Sequence, residues 1–231
     1  MTEYMSERFG KRTIDVYEDV LEPHVNEYID LQMQKQKWHY GHFSNRSDNC
    51  PNAHWNIAFG ENREQVVDNG FDWILPIWDA AFYKFDFEKK YDMDPDDFVR
   101  AYANGYTFGT EPHAHLDDGD FTIIYYPSMW WELKWDGGTY FYEDTHDRIP
   151  GSVTGFKGAL DCQYLPDKLT SIITLNEYKG NSFCVFDADI AHRAQSISRE
   201  CYKLRYMIVF KGKTKEAVAN RARLDYYKND L

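Results

Sequence analysis

Through the second half of the chain, apolar and polar residues alternate or gather into short apolar runs. From Phe121 the stretch FTIIYY places Thr122, Ile124 and Tyr126 on one face of a strand, because successive strand side chains point to opposite faces. TSIITL, NSFCVF and KLRYMIVFK continue the pattern. In LRYMIVF a period of two sets Arg205, Met207 and Val209 on one face, with Leu204, Tyr206, Ile208 and Phe210 on the other. Val99 to Tyr102 reads as extended, with Gly105 and Gly109 marking bends. Short strands divided by turn signals, with no internal repeat, predict a mainly β chain built on a jelly-roll core, the double-stranded β-helix.

The first hundred residues carry a different period and predict a support of helices and loops. Ile14 to Tyr17 reads as a short strand. In EDVLEPHVNEYIDLQMQKQ the residues Leu21, Val25, Tyr28, Ile29 and Gln32 fall near helical spacing, with Pro23 in the first turn, where its missing N–H does no harm. SNRSDNCPN, residues 44–52, is turn chemistry. From Arg63 to Phe85, Val67, Phe71, Ile74, Leu75, Trp78 and Phe82 recur every three or four positions as an amphipathic stripe broken at Pro76. This helix is expected to pack on the outside of a sheet. The stretch KTKEAVANRARLDYYKND reads as a polar helix or frayed tail. The expected division is one domain over 1–231, with a support over 1–97, a jelly-roll core over 98–212 and a tail over 213–231.

Charge narrows the function. With 38 acidic residues against 26 basic ones the net charge is −12, so a phosphate backbone would be repelled and nucleic acid is a disfavoured partner. The longest apolar stretch, Phe121 to Trp131, is interrupted by Thr122, Pro127 and Ser128, well short of the roughly 20 residues that span a bilayer. MTEYMSERFGKR has no apolar signal core. Cys50, Cys162, Cys184 and Cys201 show no CxxC pairing and read as free thiols of a reducing cytoplasm, with Cys184 and Cys201 as small core residues. The aromatics (7 Trp, 18 Tyr, 15 Phe) read mostly as packing, because large rings bury much area per residue.

Candidate chemistry centres on residues 113–142, HAHLDDGDFTIIYYPSMWWELKWDGGTYFY. His115 and Asp117 lie two apart, so on an extended segment both face one ion. His192, in NSFCVFDADIAHRAQ, completes two imidazoles and one carboxylate, the facial set that leaves positions on Fe(II) open for other ligands. A His-x-Asp alone is common. Here it is followed by a strand, a two-tryptophan turn, Gly137-Gly138, and later by His192 and Arg205 in a β run. His24 and His39 stand isolated and read as surface or packed residues, while the contributions of His113 and Asp118 to the metal set stay open.

Over residues 98–212 the sequence resembles the iron(II)- and 2-oxoglutarate-dependent oxygenases, and within them the prolyl-4-hydroxylase-like branch. The matching pieces are RAYANGYTFG, His115-Leu116-Asp117, TIIYYPSMWWELKWDGGT, FDADIAH and the Arg205 strand. One departure is spacing: Arg205 follows His192 by 205 − 192 = 13 positions, a few more than in the most familiar members, so the SISRECYK connection is expected to be longer. The resemblance implies Fe(II) held by His115, Asp117 and His192, with 2-oxoglutarate as cosubstrate and ascorbate as an auxiliary reductant. It also implies decarboxylation to succinate coupled to hydroxylation of a C–H bond, in a peptidyl proline or a related peptide or small molecule.

The distal carboxylate of 2-oxoglutarate needs a fixed cation, and Arg205 suits it because guanidinium pairs bidentately with carboxylate and stays charged. Arg193 and Arg199 are rival anchors, expected on the connecting loop. The resemblance implies Tyr126 as a second donor to that carboxylate and Tyr102 near the cosubstrate, against the plainer reading of both as packed core rings. Trp130, Trp131 and Trp135 are candidates for a substrate lip. Two other classes stay in view: a non-catalytic jelly-roll binding module, and a cupin-type metalloenzyme without 2-oxoglutarate, for which His113 would be an extra ligand.

Overall fold

In the computed structural model the described residues are 13–42, 53–96, 98–110, 112, 114–117, 119–144, 169–188 and 190–215, with the backbone alone described at 143–144 and 169–173. Ten strands and four α-helices are formed in the order β1 (Ile14–Tyr17), α1 (Pro23–Lys35), β2 (His39–His42), β3 (His54–Gly60), α2 (Arg63–Asp68), α3 (Leu75–Tyr83), α4 (Phe87–Tyr91), β4 (Arg100–Tyr106), β5 (Phe121–Tyr126), β6 (Thr139–Asp144), β7 (Leu169–Asn176), β8 (Ser182–Asp187), β9 (His192–Ala194) and β10 (Arg205–Gly212). A seven-stranded sheet runs β1-β8-β5-β10-β4-β3-β2, and a three-stranded sheet runs β7-β6-β9. The strand pairings are antiparallel. This is the expected mainly β, jelly-roll class.

The period of two in β10 divides the interior into two cores. Outward, Tyr206, Ile208 and Phe210 join Ile123, Tyr125, Phe183 and Val185 under the helices. Inward, Met207 and Val209 join Ile124, Tyr126, Cys184 and Phe186. The register makes these inward residues into rows across the large sheet: Asn56, Asn104 and Met207 lie side by side, then Ala58, Tyr102, Val209 and Ile124, then Arg100, Lys211 and Thr122. Each row is a ladder of cross-strand neighbours close enough for side chains to touch.

The N-terminal support is helical only in part, since β1, β2 and β3 supply three of the seven strands of the large sheet. The stripe expected across Arg63 to Phe85 is cut at Gly70, whose φ of +78° suits glycine, and not at Pro76. Pro76 opens α3 in its first turn. α2 is a separate helix, started by the Asn62 side chain accepting from Gln65 N–H at 2.9 Å. It buries Val66, while Val67, expected inside, is 50% exposed.

α1 also docks by other contacts than its apolar pattern suggests. Tyr28 is exposed, and the buried face carries Asn26 and Asp30 beside Ile29 and Met33. Outward-facing tyrosines satisfy both polar groups: Tyr125 OH donates to Asn26 at 2.5 Å and Tyr206 OH to Asp30 at 2.5 Å. A buried polar group without such partners would be costly. Among the described residues no helix is long and apolar enough to cross a membrane. The loop at 44–52 and the tail beyond 215 lie outside the described residues.

The outer core hangs on Trp78, whose ring meets Phe82, Phe98 and Phe210 at 4.9, 5.1 and 5.6 Å and whose Nε1–H donates to Pro95 O. Trp78→Ala is expected to cost about 3–5 kcal/mol in urea unfolding. Tyr83→Ala, at a 91% exposed position of the same helix, should stay within about 0.5 kcal/mol of the parent.

Candidate metal centre

The connection between β4 and β5 meets the small sheet at a bridge of two residues. His115 N–H donates to His192 O at 2.9 Å and His192 N–H returns the bond to His115 O at 3.0 Å, setting the two imidazole rings 4.5 Å apart. Two residues on, Asp117 N–H donates to Ala188 O at 2.9 Å, which turns its carboxylate under both rings. His115 Nε2 lies 3.5 Å from Oδ1 and His192 Nε2 lies 3.2 Å from Oδ2. One donor atom from each of His115, Asp117 and His192 falls within 4.8 Å of the others, a spacing that could hold a metal ion. Nδ1 of His192 sits 2.9 Å from Ile190 O, so this nitrogen carries the proton and Nε2 keeps its lone pair toward the cluster.

Burial pushes the Asp117 carboxyl up, but Lys211 and His192 beside it outweigh that and hold it well below the usual carboxylate range. Burial pushes the His192 imidazole down against the opposing pull of Asp117. The cluster therefore offers one carboxylate and, at His192, a neutral imidazole, the protonation states that metal ligation needs.

From the cluster a narrow cleft runs between the sheets, lined on the large sheet by Asn104, Tyr106, Ile124, Met207 and Val209 and on the other side by Thr139 and Ala194. Arg205 does not line this cleft; it lies fully buried against Tyr106 and Met207, which do. Nε donates to Gly137 O at 2.6 Å, Nη2 to Gly138 O at 3.1 Å, and Nη1 faces the Met207 sulfur at 3.2 Å. The rings of Tyr106, Tyr126 and Tyr178 surround the guanidinium at 5.2, 5.7 and 6.0 Å. Among the described residues no carboxylate pairs with it. The glycine pair is required here: Gly137 has φ +89°, and a Cβ on Gly138 would meet Asn176 O at 2.4 Å.

Tyr126 is buried against Arg205 and shares a 2.7 Å hydrogen bond with Thr139 Oγ1. Burial pushes its phenol up, as it does those of Tyr106 and Tyr178, so all three stay protonated donors. Tyr102 lines the cleft, its ring beneath Arg100 and Lys211. Tyr106, directly opposite Arg205 in the β4–β10 register, is the β4 tyrosine that touches the guanidinium.

Arg193 lies over Tyr140 and Tyr142, and Arg199 over Phe108, both apart from the cleft. Trp135 is buried, Trp131 stacks on Tyr178 at 4.6 Å and Trp130 is 74% exposed. His113 and Asp118 lie outside the described residues. Lys211, Tyr106 and Thr139 were not singled out in the sequence. Lys211 had a signal: it continues the Arg205, Met207, Val209 face of β10.

No protein-family model matches the sequence, and no curated protein sequence matches it. Solved structures do. A prolyl hydroxylase from Trichoplax adhaerens, in complex with a hypoxia inducible factor peptide, matches with TM-score 0.54 at 11% identity, over 95% of this chain and 90% of that one. HygX from Streptomyces hygroscopicus, with nickel and 2-oxoglutarate bound, matches with TM-score 0.55 at 8% identity, over 93% and 88%. The non-heme alpha ketoglutarate dependent epimerase SnoN from nogalamycin biosynthesis matches with TM-score 0.54 at 12% identity, over 92% and 83%. At such identities the likeness establishes that this chain has the jelly-roll fold of these enzymes.

Proposed function

We propose that the chain is a single-domain Fe(II)- and 2-oxoglutarate-dependent oxygenase that hydroxylates a C–H bond, with a peptidyl proline or a related peptide or small molecule as substrate. The observation that carries this reading is Arg205, a fully buried cation without a carboxylate partner among the described residues, packed against Tyr106 and Met207 of a cleft that also takes in a His-Asp-His cluster. Burying an unpaired charge costs several kcal/mol. A dicarboxylate stretched from the cluster to Arg205 would offset that cost.

In this reading His115, Asp117 and His192 hold the metal through Nε2, a carboxylate oxygen and Nε2. When bound, the metal and 2-oxoglutarate supply the oxidative chemistry, in which one dioxygen yields succinate, carbon dioxide and a hydroxylated substrate carbon. Arg205 turns toward the distal carboxylate of the cosubstrate, and the Tyr126 and Thr139 hydroxyls orient it. Ile124, Met207 and Val209 form an apolar wall that keeps water off the ion pair, which strengthens it. The buried free thiols Cys184 and Cys201 support a setting in the reducing cytoplasm, with ascorbate as auxiliary reductant.

The prolyl-4-hydroxylase-like branch rests on the sequence motifs alone; the solved neighbours include a prolyl hydroxylase and an epimerase, so the substrate is the least constrained element. A non-catalytic binding module has no use for a buried cation placed opposite a metal-type cluster. A cupin-type enzyme has no use for the cosubstrate that Arg205 would anchor.

With Fe(II), ascorbate and oxygen the purified protein is expected to convert 2-oxoglutarate slowly to succinate without its prime substrate. Asp117→Ala should lose iron retention and this turnover together; normal succinate production would move the carboxylate ligand elsewhere. Arg205→Ala should keep iron but raise the dissociation constant for 2-oxoglutarate about 30-fold or more, since truncating one partner of a buried charge pair costs roughly 2–5 kcal/mol. Unchanged affinity by calorimetry, with a loss in Arg199→Ala instead, would put the anchor on the loop after β9.

A further inference from the structure

Lys211 is a second buried cation on the inner face of β10, six positions beyond Arg205, and it is fully buried. Its neighbours on that face, Val209 and Met207, are apolar, so the lysine is not explained by the strand pattern. Its ammonium group has two polar partners and one aromatic ring beside it. It meets Asp117 Oδ2 and Thr122 Oγ1 at 3.0 Å, and lies over the Tyr102 ring at 5.7 Å. Thr122 hands the interaction on, because its hydroxyl donates to the same Asp117 Oδ2 at 2.7 Å.

The network is lopsided. Oδ2 receives an ammonium and a hydroxyl, both from the large sheet, and also faces His192 Nε2 at 3.2 Å, whereas Oδ1 meets His115 at 3.5 Å. An ammonium donates and cannot accept, so Lys211 meets Oδ2 only as a donor. Arg100 and Thr122 flank Lys211 across β4 and β5, and this register anchors it on the sheet.

Resting on the reading of His115, Asp117 and His192 as metal ligands, we propose that Lys211 is a positioning residue. Together with Thr122 it engages Asp117 Oδ2, restricting the carboxylate to one ligating oxygen and neutralising part of the charge that draws the metal in. Two consequences follow. A carboxylate kept from chelating leaves coordination positions for the cosubstrate and oxygen. A unit positive charge beside the ligand also repels a divalent ion, so the site binds its metal more weakly than the bare triad would.

That second consequence separates positioning from mere structural support, because damage to the site loosens the metal whereas removal of the lysine charge tightens it. The test is titration of Mn(II) into the metal-free full-length chain, followed by electron paramagnetic resonance of the free ion. Titrated well above the carboxylate range, so that Asp117 stays ionised without the lysine beside it, Lys211→Met and Lys211→Gln are expected to bind Mn(II) at least about tenfold more tightly than the parent, and Lys211→Arg, which keeps the charge, should stay near the parent. Equal or weaker binding in neutral variants whose circular dichroism matches the parent overturns the proposal.

A second measurement needs no variant. Infrared difference spectra of the Mn(II)-loaded parent with 13C-labelled aspartate should show the wide carboxylate splitting of single-oxygen ligation, and the narrow splitting of a bidentate carboxylate would overturn it. Failure of the underlying site is distinguishable. A parent chain that takes up no Mn(II), or takes it up equally after His192→Ala, refutes the metal-site reading and this inference with it.

Discussion

Everything in the cleft depends on the reciprocal pair of backbone hydrogen bonds between His115 and His192. His115 belongs to the connection between β4 and β5, and His192 opens β9 of the small sheet. Without that bridge the two imidazoles would sit on separate elements with nothing to set their distance. With it, the 4.5 Å ring separation follows from backbone geometry, and Asp117 is brought beneath them by its own bond to Ala188 O. Preorganisation of this kind would place the three donors for an ion without further rearrangement.

Charge balance is the second constraint. The inner face of the large sheet buries Lys211 and Arg205, and the connection before β5 sets the Asp117 carboxylate against Lys211, three groups that would each be costly alone. Asp117 and Lys211 offset each other. Arg205 rests on carbonyl oxygens of Gly137 and Gly138, a sulfur and three aromatic faces, partners that orient a cation without neutralising it. The cluster is therefore balanced at Lys211, whereas Arg205, packed behind the cleft lining, carries a positive charge that no carboxylate among the described residues offsets.

How much was legible in the sequence follows from which signals were local. The β10 face and its inward arginine could be read from LRYMIVF because a period of two is a property of consecutive residues. His115, Asp117 and His192 were legible as residue types, although the bridge that joins them spans 77 positions and leaves no mark in either segment alone. β2 was not legible: all four of its residues are exposed, so it carries no apolar alternation. The α1 face was misread because Asn26 and Asp30 are buried by tyrosine hydroxyls from β5 and β10, a pairing decided by tertiary contact. Tyr102 and Tyr106 share the inner face of β4, and only the register against Arg205 decides between them at the arginine end. Lys211 continues the inward face of β10, but its burial depends on Asp117 and Thr122, partners outside that strand.

The central claim is that one cleft holds a metal at the His-Asp-His cluster and a carboxylate at Arg205, with a single dicarboxylate spanning both. Calorimetry of the Mn(II)-loaded protein with 2-oxoglutarate and with 2-oxobutyrate, which keeps the chelating end but lacks the distal carboxylate, tests both ends in one comparison. The account predicts that 2-oxoglutarate binds about 30-fold more tightly or better, from the lost charge pair, and that neither ligand binds well without the metal. Equal affinities for the two acids, or 2-oxoglutarate binding indifferent to the metal, would contradict it.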